Sequence, residues 1–340
     1  MQQKQFQFSD KRVAYYFDTD SKQLKQFCDP AHTILITDEH VHAAHGKKWK
    51  GWKTIVLKAG EEYKLQQTVD AVIDTLIEME ADRKTMLVGI GGGVITDLTG
   101  YIAAIYMRGI RFGFVPTTLL AMVDASIGGK NGVDVGVYKN LVGTIRQPEF
   151  ILFDTSLLKT LPDTVFRDGF TEIIKHAAIL DAPMFKWLEA QTPKKLRNNK
   201  AAMNWLVTRN AVLKSKLVQR DEFEQGDRKL LNFGHTLGHA LENQYELSHG
   251  EAVAIGMTYA AHFSEKYTKF KQTDKLTALL TQYGLPTYAA FDAQKVFDVL
   301  KHDKKRNHTS MQYVLLQKVG KAVIQPIALT ELAEMIQAIK

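Results

Sequence analysis

The stretch that most limits the fold is residues 85–107, TMLVGIGGGVITDLTGYIAAIYM. A short apolar run (residues 86–90) meets three glycines, Gly91-Gly92-Gly93, and then a longer segment rich in Ala, Ile and Tyr. An apolar run of this length closed by glycine suits a buried strand, and the segment after it is long enough for a helix. Strand, glycine turn and helix make half of a βαβ unit. The glycines let backbone approach a phosphate, and the helix N-terminus offers unpaired N–H donors. The run is not GxGxxG, so a purely structural turn stays open beside the nucleotide-binding one.

The flanking chain repeats this alternation. Residues 1–57 carry short strands between polar turns, HTILITDEHV and TIVLKAGEEYK each read as a strand followed by a charged segment, and LQQTVDAVIDTLIEME has helical spacing. Alternating strands and helices argue for a parallel sheet covered by helices. Further on, a strand over 111–115 stops at Pro116. Thr117, Thr118 and Asp124 follow, then a glycine-rich loop that presents Lys130 and Lys139. Lysines on such loops contact anions; solvated surface lysines are the bland alternative. From Leu161-Pro162 the pattern turns helical, and a 340-residue chain exceeds one usual core. The expectation is α/β: a Rossmann-like domain with a parallel sheet over 1–160 and an all-helical domain over 161–340, with the substrate in the cleft between them.

A second polar pattern lies in RKLLNFGHTLGHALENQYELSHGE, residues 228–251. Read as one helix, it puts Arg228, Asn232, His235, His239 and Glu242 on one stripe, with His249 close behind. Imidazoles one turn apart and a nearby third suit a divalent metal; core-satisfied or solvated histidines are the alternative. On an earlier helix Glu172, Lys175 and His176 share one turn, and another carries Lys214. Lysine and arginine exceed acids by 44 to 37, spread along the chain, which suits an anionic small substrate better than nucleic acid. One cysteine, Cys28, leaves no internal disulfide. No apolar run reaches membrane-spanning length and the first residues lack an apolar leader, so a cytoplasmic protein without a membrane partner is expected.

GGGVITDLTG, RGIRFGFVPTTLLAMVDASIGGK, YKNLVG, LKTLP, TEIIKHAAILD, RKLLNFGHTLGHALE, SHGEAVAIGM and HDKK, in this order over roughly 35–320, resemble the 3-dehydroquinate synthase family. The resemblance implies an N-terminal NAD-binding domain, a helical C-terminal domain and one divalent metal ion, zinc or cobalt. It implies conversion of 3-deoxy-D-arabino-heptulosonate 7-phosphate to 3-dehydroquinate and phosphate, a step of the shikimate pathway. The chemistry would be transient NAD oxidation, β-elimination of phosphate, re-reduction and intramolecular aldol closure. Position by position it implies Glu172, His235 and His249 as metal ligands, which replaces the His235–His239 pair that spacing suggests. NAD would meet Asp38, Glu61, Lys64, Gly92, Gly93, Val94, Asp97, Thr117, Thr118, Asp124, Lys130, Lys139 and Thr160. Lys214, Arg228 and Asn232 would hold the substrate's carboxylate and hydroxyls. Lys130, Asn140, His239, Lys304 and Arg108 would form the phosphate pocket, and Lys175 would join the catalytic set. A homodimer follows from the family's matching arginine, which acts across the dimer.

One region departs from the family. Where GGKTGVN and GKN are common, this chain has Asn131, Asp134 and Tyr138, so altered loop mobility or affinity is expected there. Rival readings are another sugar phosphate cyclase, such as a 2-deoxy-scyllo-inosose or 2-epi-5-epi-valiolone synthase, a glycerol-type metal-dependent dehydrogenase, and a silent scaffold. Joint retention of Lys214, Arg228, Asn232 and His239 favours the carboxylated substrate.

Overall fold

The computed structural model describes residues 1–136, 138–300, 306–307 and 309–338, and all their side chains except those of Asn243, Arg306 and Asn307. The chain forms two compact units: residues 1–166 with 199–223, and residues 167–198 with 224–340. The sequence reading makes a single cut at 160; in the structure the chain returns to the first unit for one long helix.

In the first unit the strands are β1 (Gln2–Gln7), β2 (Arg12–Phe17), β3 (Thr33–Asp38), β4 (Lys53–Leu57), β5 (Met86–Gly91), β6 (Arg111–Pro116), β7 (Lys130–Val135), β8 (Tyr138–Ile145) and β9 (Phe150–Leu152). Seven form one sheet in the order β1-β2-β9-β6-β5-β3-β4, parallel except for the β1–β2 pair. β3 and β5 are buried along their whole length, which is why both read as unbroken apolar runs and not as alternation. Leu35, Val88, Ile90, Val115 and Leu152 form their common core. The helices here are α1 (Glu39–His45), α2 (Gln66–Glu78), α3 (Gly93–Ile105) and, after the excursion, the long helix Lys200–Arg220. The glycine-rich stretch that presents Lys130 and Lys139, expected as a loop, is part of an antiparallel β7–β8 hairpin. Asn131 anchors it: its buried amide donates to Gly129 O at 2.7 Å and Arg146 O at 3.0 Å. Among the described residues no helix is long and apolar enough to cross a membrane.

Helix α4 (Asp163–Leu180) leads into the second unit, which holds α5 (Ala182–Glu189) and α6 (Pro193–Arg197). The long helix Lys200–Arg220 is α7. Then come α8 (His235–Gln244), α9 (His249–Thr268), α10 (Thr273–Gln282), α11 (Ala293–Leu300), β10 (Arg306–Asn307), β11 (Ser310–Lys318), β12 (Lys321–Ala328) and α12 (Leu329–Ala338). The unit is helix-rich, but it is not all-helical: β10, β11 and β12 make a three-stranded antiparallel sheet. β11 is buried through its middle, so it lacks the alternation that marks an exposed hairpin.

Residues 228–251 are not one helix either. A 3-10 segment covers Asp227–Asn232, Gly234 is left-handed at φ 78°, and α9 starts afresh after Ser248. There the Ser248 hydroxyl accepts from Glu251 N at 3.2 Å while Glu251 accepts from Ser248 N at 3.0 Å, a reciprocal cap. The break lets α8 fold back on α9 with backbone almost touching backbone. A Cβ on Gly256 would lie 1.9 Å from Gly234 O, and one on Gly238 would lie 3.0 Å from Val253 Cα. Gly256→Ala must therefore push the helices apart, at a cost of about 1–3 kcal/mol or more. A drop in Tm with retained secondary structure is the expected result, and an unchanged melt would mean the crossing has slack.

Candidate active site

In the second unit, α4, α8 and α9 converge on one carboxylate. Glu172 is fully buried on α4, and its Oε1 stands 3.5 Å from His235 Nε2 and 3.3 Å from His249 Nε2. Close packing brings them there. A Cβ on Gly250 would lie 2.8 Å from Asp168 Cα, and the Thr171 hydroxyl donates to Gly250 O at 3.0 Å. Each imidazole is oriented through its other nitrogen: His235 Nδ1 lies 3.2 Å from Phe233 O, and His249 Nδ1 lies 3.4 Å from Glu242 Oε2. Backbone and carboxylate partners of this kind aim metal-binding histidines.

The donor set fits a divalent cation. Ligand atoms of Glu172, His235 and His249 all lie within 4.8 Å of one another. Two ligands bonded at about 2.1 Å to a tetrahedral ion stand roughly 3.4 Å apart, which matches the observed 3.3 and 3.5 Å. Three protein ligands leave one position open. Charge agrees: Glu172 and Glu242 bring two carboxylates, and the buried Lys175 ammonium, paired with Glu172, offsets one. His239 is not in this group of ligand atoms, although its ring stands edge-on to that of His235 at 5.1 Å and lies 6.4 Å from that of His249. Arg228 is buried on the 3-10 segment, and Asn232 donates to Glu224 Oε1 at 2.8 Å. Lys304 lies outside the described residues.

In the first unit, the chain runs from β3 outward to β4 and returns on the other side of β3 as β5. The crevice beyond the carboxyl ends of β3 and β5 is thus the switch point where open α/β sheets take their ligands. Asp38 ends β3, capping α1 by accepting from Val41 N at 2.8 Å. Gly91 ends β5, Gly92 caps α3, and Gly93 and Val94 open it. A Cβ at Gly91 would lie 2.5 Å from the Ile95 side chain. At the end of β6 the Thr117 hydroxyl is buried with no hydrogen-bond partner among the described residues, a group that a ligand would complete. Thr118 accepts from Ala121 N at 3.1 Å, opening a π-helical turn that carries Asp124. Lys214, buried on α7, donates to Asp124 O at 2.7 Å and pairs with its carboxylate at 2.9 Å. A dinucleotide fits this edge, with glycine backbone at the helix start and Asp38 at the neighbouring strand end.

Lys64 is the other buried cation of this unit. It meets Asp97 at 2.6 Å, Asn140 Oδ1 at 2.5 Å and Glu61 at 3.8 Å. Burial alone would push its pKa down, but the Asp97 and Glu61 carboxylates outweigh it and hold the ammonium charged. Thr160 stands apart, 2.7 Å from His45 Nε2. Lys130, the first residue of β7, and Arg108 are exposed, Arg108 on a left-handed backbone at φ 63°, and Lys139 is half-buried on β8. The sequence reading gives no role to Glu242 as partner of His249; its seven-residue separation across a helix break leaves no local signal.

Comparison with known proteins settles the family. Residues 54–168 match the 3-dehydroquinate synthase N-terminal domain and residues 169–306 the C-terminal domain. The chain belongs to the 3-dehydroquinate synthase family. A curated 3-dehydroquinate synthase of Nitrosomonas europaea is 41% identical over 274 residues, covering 79% of this chain and 74% of that protein. Another, of Dehalococcoides mccartyi, is 39% identical, with 88% of each chain covered. Among solved structures, a 2-deoxy-scyllo-inosose synthase complexed with carbaglucose-6-phosphate, NAD+ and Co2+ superposes with a TM-score of 0.82 at 27% identity, covering 98% of this chain and 99% of that one.

The cluster of this 3-dehydroquinate synthase family member has a pH signature. Burial works against charge on His249, but Glu172 and Glu242 raise its pKa from 6.5 to about 10. The side chain is still 32% exposed, so solvent screens part of this. A raised imidazole pKa stabilises the fold fully below its ordinary value near 6.5 and loses that contribution as pH climbs through about 10. A divalent ion would replace the proton and remove the dependence. Chelator-treated protein should therefore show a Tm that falls from pH 7 toward 10, and zinc-loaded protein a flatter profile. Parallel curves would count against ion binding at His249.

Proposed function

We propose that the chain is a 3-dehydroquinate synthase, converting 3-deoxy-D-arabino-heptulosonate 7-phosphate to 3-dehydroquinate and phosphate. The observation that carries this reading is the Glu172–His235–His249 cluster, with ligand spacing that suits one tetrahedral ion, in a chain about 40% identical to curated enzymes of that name over most of its length. The α/β unit takes NAD at the β3–β5 edge, and the helix-rich unit takes one zinc or cobalt ion. When bound, NAD accepts and returns one hydride, and the ion polarises a substrate hydroxyl and lowers its pKa.

This chain's own residues do the rest. Lys175 balances the charge of Glu172 in a buried setting, and Glu242 fixes the imidazole of His249. Asp124 holds the Lys214 ammonium in place to meet an anionic or hydroxyl group, and Arg228 offers a planar fork that matches a carboxylate. Asn232 adds an amide, while Lys130, Asn140, His239, Lys304 and Arg108 supply positive charge and donors for the phosphate. Loss of phosphate needs a proton removed next to the oxidised carbon, and the leaving phosphate's own oxygens can take it. The net reaction would release phosphate and close a ring without consuming cofactor. The enzyme works in the cytoplasm, in keeping with a lone, half-buried Cys28.

A homodimer is part of the same reading. Ile105, Met107, Leu141, Val142 and Ile145 are exposed apolar residues, and the two stretches are stapled where Arg146 donates to Ala103 O at 2.8 Å. Arg108 stands beside this patch on a left-handed backbone, able to reach a neighbouring subunit's phosphate pocket.

Two experiments test the function. Purified protein with NAD, zinc and the heptulosonate phosphate should release phosphate with no net absorbance change at the nicotinamide band; steady NADH accumulation would point to a dehydrogenase. His235→Ala should lose bound metal and turnover together, whereas His239→Ala should keep stoichiometric metal and lose rate. For the dimer, Arg108→Ala and His235→Ala, each inactive alone, should regain up to half the activity per dimer when mixed. Heterodimers without recovery would place Arg108 within its own subunit.

A further inference from the structure

The β7–β8 hairpin carries a feature that neither the metal cluster nor the glycine turn accounts for. Its register shifts between Val133, which faces Val142, and Val135, which faces Tyr138, so Lys139, Asn140 and Leu141 bulge on β8 opposite Asp134, which drops out of the ladder. Freed from the ladder, the Asp134 N–H donates instead to Lys64 O at 2.8 Å, and the segment forms a parallel bridge with Leu65. The Asp134 carboxylate accepts from Asn140 N at 2.6 Å. Asn140, left-handed at φ 53°, turns its side chain back so that Oδ1 accepts from Lys64 Nζ at 2.5 Å.

These three hydrogen bonds close a ring: Lys64 to Asn140, Asn140 to Asp134, Asp134 to Lys64. A left-handed backbone is unfavourable in a residue with a Cβ, though Asn tolerates it best, and the ring supplies the offset. Bulges of this sort re-aim a side chain. Here the side chain that gains a fixed place is Lys64, buried and also paired with Asp97 on α3 at 2.6 Å. The three carboxylates Asp97, Glu61 and Asp134 keep its ammonium charged.

We propose that Asp134 is a positioning residue that joins Lys64, on the dinucleotide side, to Asn140, on the substrate-phosphate side, so that the two ligands bind cooperatively. The inference rests on the assignment of NAD to the β3–β5 edge and adds to it a link through the acceptor at position 134. A ligand that orders Lys64 also orders Asn140, because each is a bond away from the other through the ring, and the second ligand then has less to order. Without the acceptor at position 134, Asn140 loses its backbone tether and the two ends move independently. An aspartate that merely stabilised the hairpin would change stability and leave the two affinities uncoupled.

The test titrates NAD into the metal-loaded full chain by calorimetry, with and without saturating inorganic phosphate. In the wild-type protein phosphate should tighten NAD by about tenfold, a usual size for coupled sites. Asp134→Asn keeps an acceptor for Asn140 N and should retain that factor to within about twofold. Asp134→Ala removes the acceptor and should bring the factor close to one. A wild-type factor in Asp134→Ala, or its loss in Asp134→Asn as well, overturns the proposal. Should Asp134→Ala not fold, hydrogen exchange on the wild-type chain decides: NAD alone must slow exchange at the Asn140 amide, and no slowing refutes the ring. Failure of the cofactor assignment looks different. NAD would then not bind, or would bind Lys64→Ala as tightly as wild type, and the inference would fall with it. Ordinary Lys64-dependent binding with no coupling sinks the ring alone.

Discussion

Two helix backbones in near contact set the geometry of the second unit. Gly234 and Gly256 remove the side-chain volume that would hold α8 and α9 apart, and that closeness brings His235 at the start of one helix to His249 at the start of the other. Glu172 meets them because Gly250 allows a similar approach to α4. The ligand distances therefore rest on missing Cβ atoms more than on the ligands themselves. Burying Glu172 uncompensated would cost several kcal/mol; Lys175 and the two imidazoles make that burial tolerable, and a divalent ion would complete the balance.

The first unit rests on a different constraint. Its sheet is covered, so β3 and β5 must be apolar throughout, and polar groups can enter only at strand ends. Asp38, Gly91 and Thr117 all lie at carboxyl ends of parallel strands, where the peptide groups of following helices begin. Two cations are nevertheless drawn inward: Lys214, beside Asp124, and Lys64, the latter matched by carboxylates from separate segments. The setting of Lys64 shows how a buried charge can be kept: Asp97 at close range and others farther out offset the lost hydration.

Much of this was legible in the sequence. The strand–glycine–helix at 86–105 is there because a buried parallel strand has no alternation and its turn needs glycine. Helices α4 and α7 follow from their apolar spacing. The continuous helix over 228–251 failed for a readable reason, since Ser248-His-Gly-Glu251 is a helix-start pattern that forbids continuity through it. Strands β11 and β12 were hidden because one is buried mid-strand and the other holds Pro326, which weakens a strand signal. That α7 returns to the first unit has no local signal: Ser215 reaches Tyr15 and Gln219 reaches Gln7 across some two hundred residues. In the metal cluster, helical spacing favours His235 with His239, whereas the geometry groups His235 with His249 and Glu172. Only the fold-back of α8 on α9, or a relative that shares it, reveals this.

Every ligand atom of the metal cluster comes from one compact unit, and every atom of the Lys64–Asp134–Asn140 ring comes from the other. Heredity can therefore treat the two as separate inheritances. A lineage can drift in its choice of ion by altering the surroundings of Glu172 and the two histidines without retuning its grip on the dinucleotide. The departures at Asn131, Asp134 and Tyr138 all fall within the first unit, leaving the ligand trio as it was.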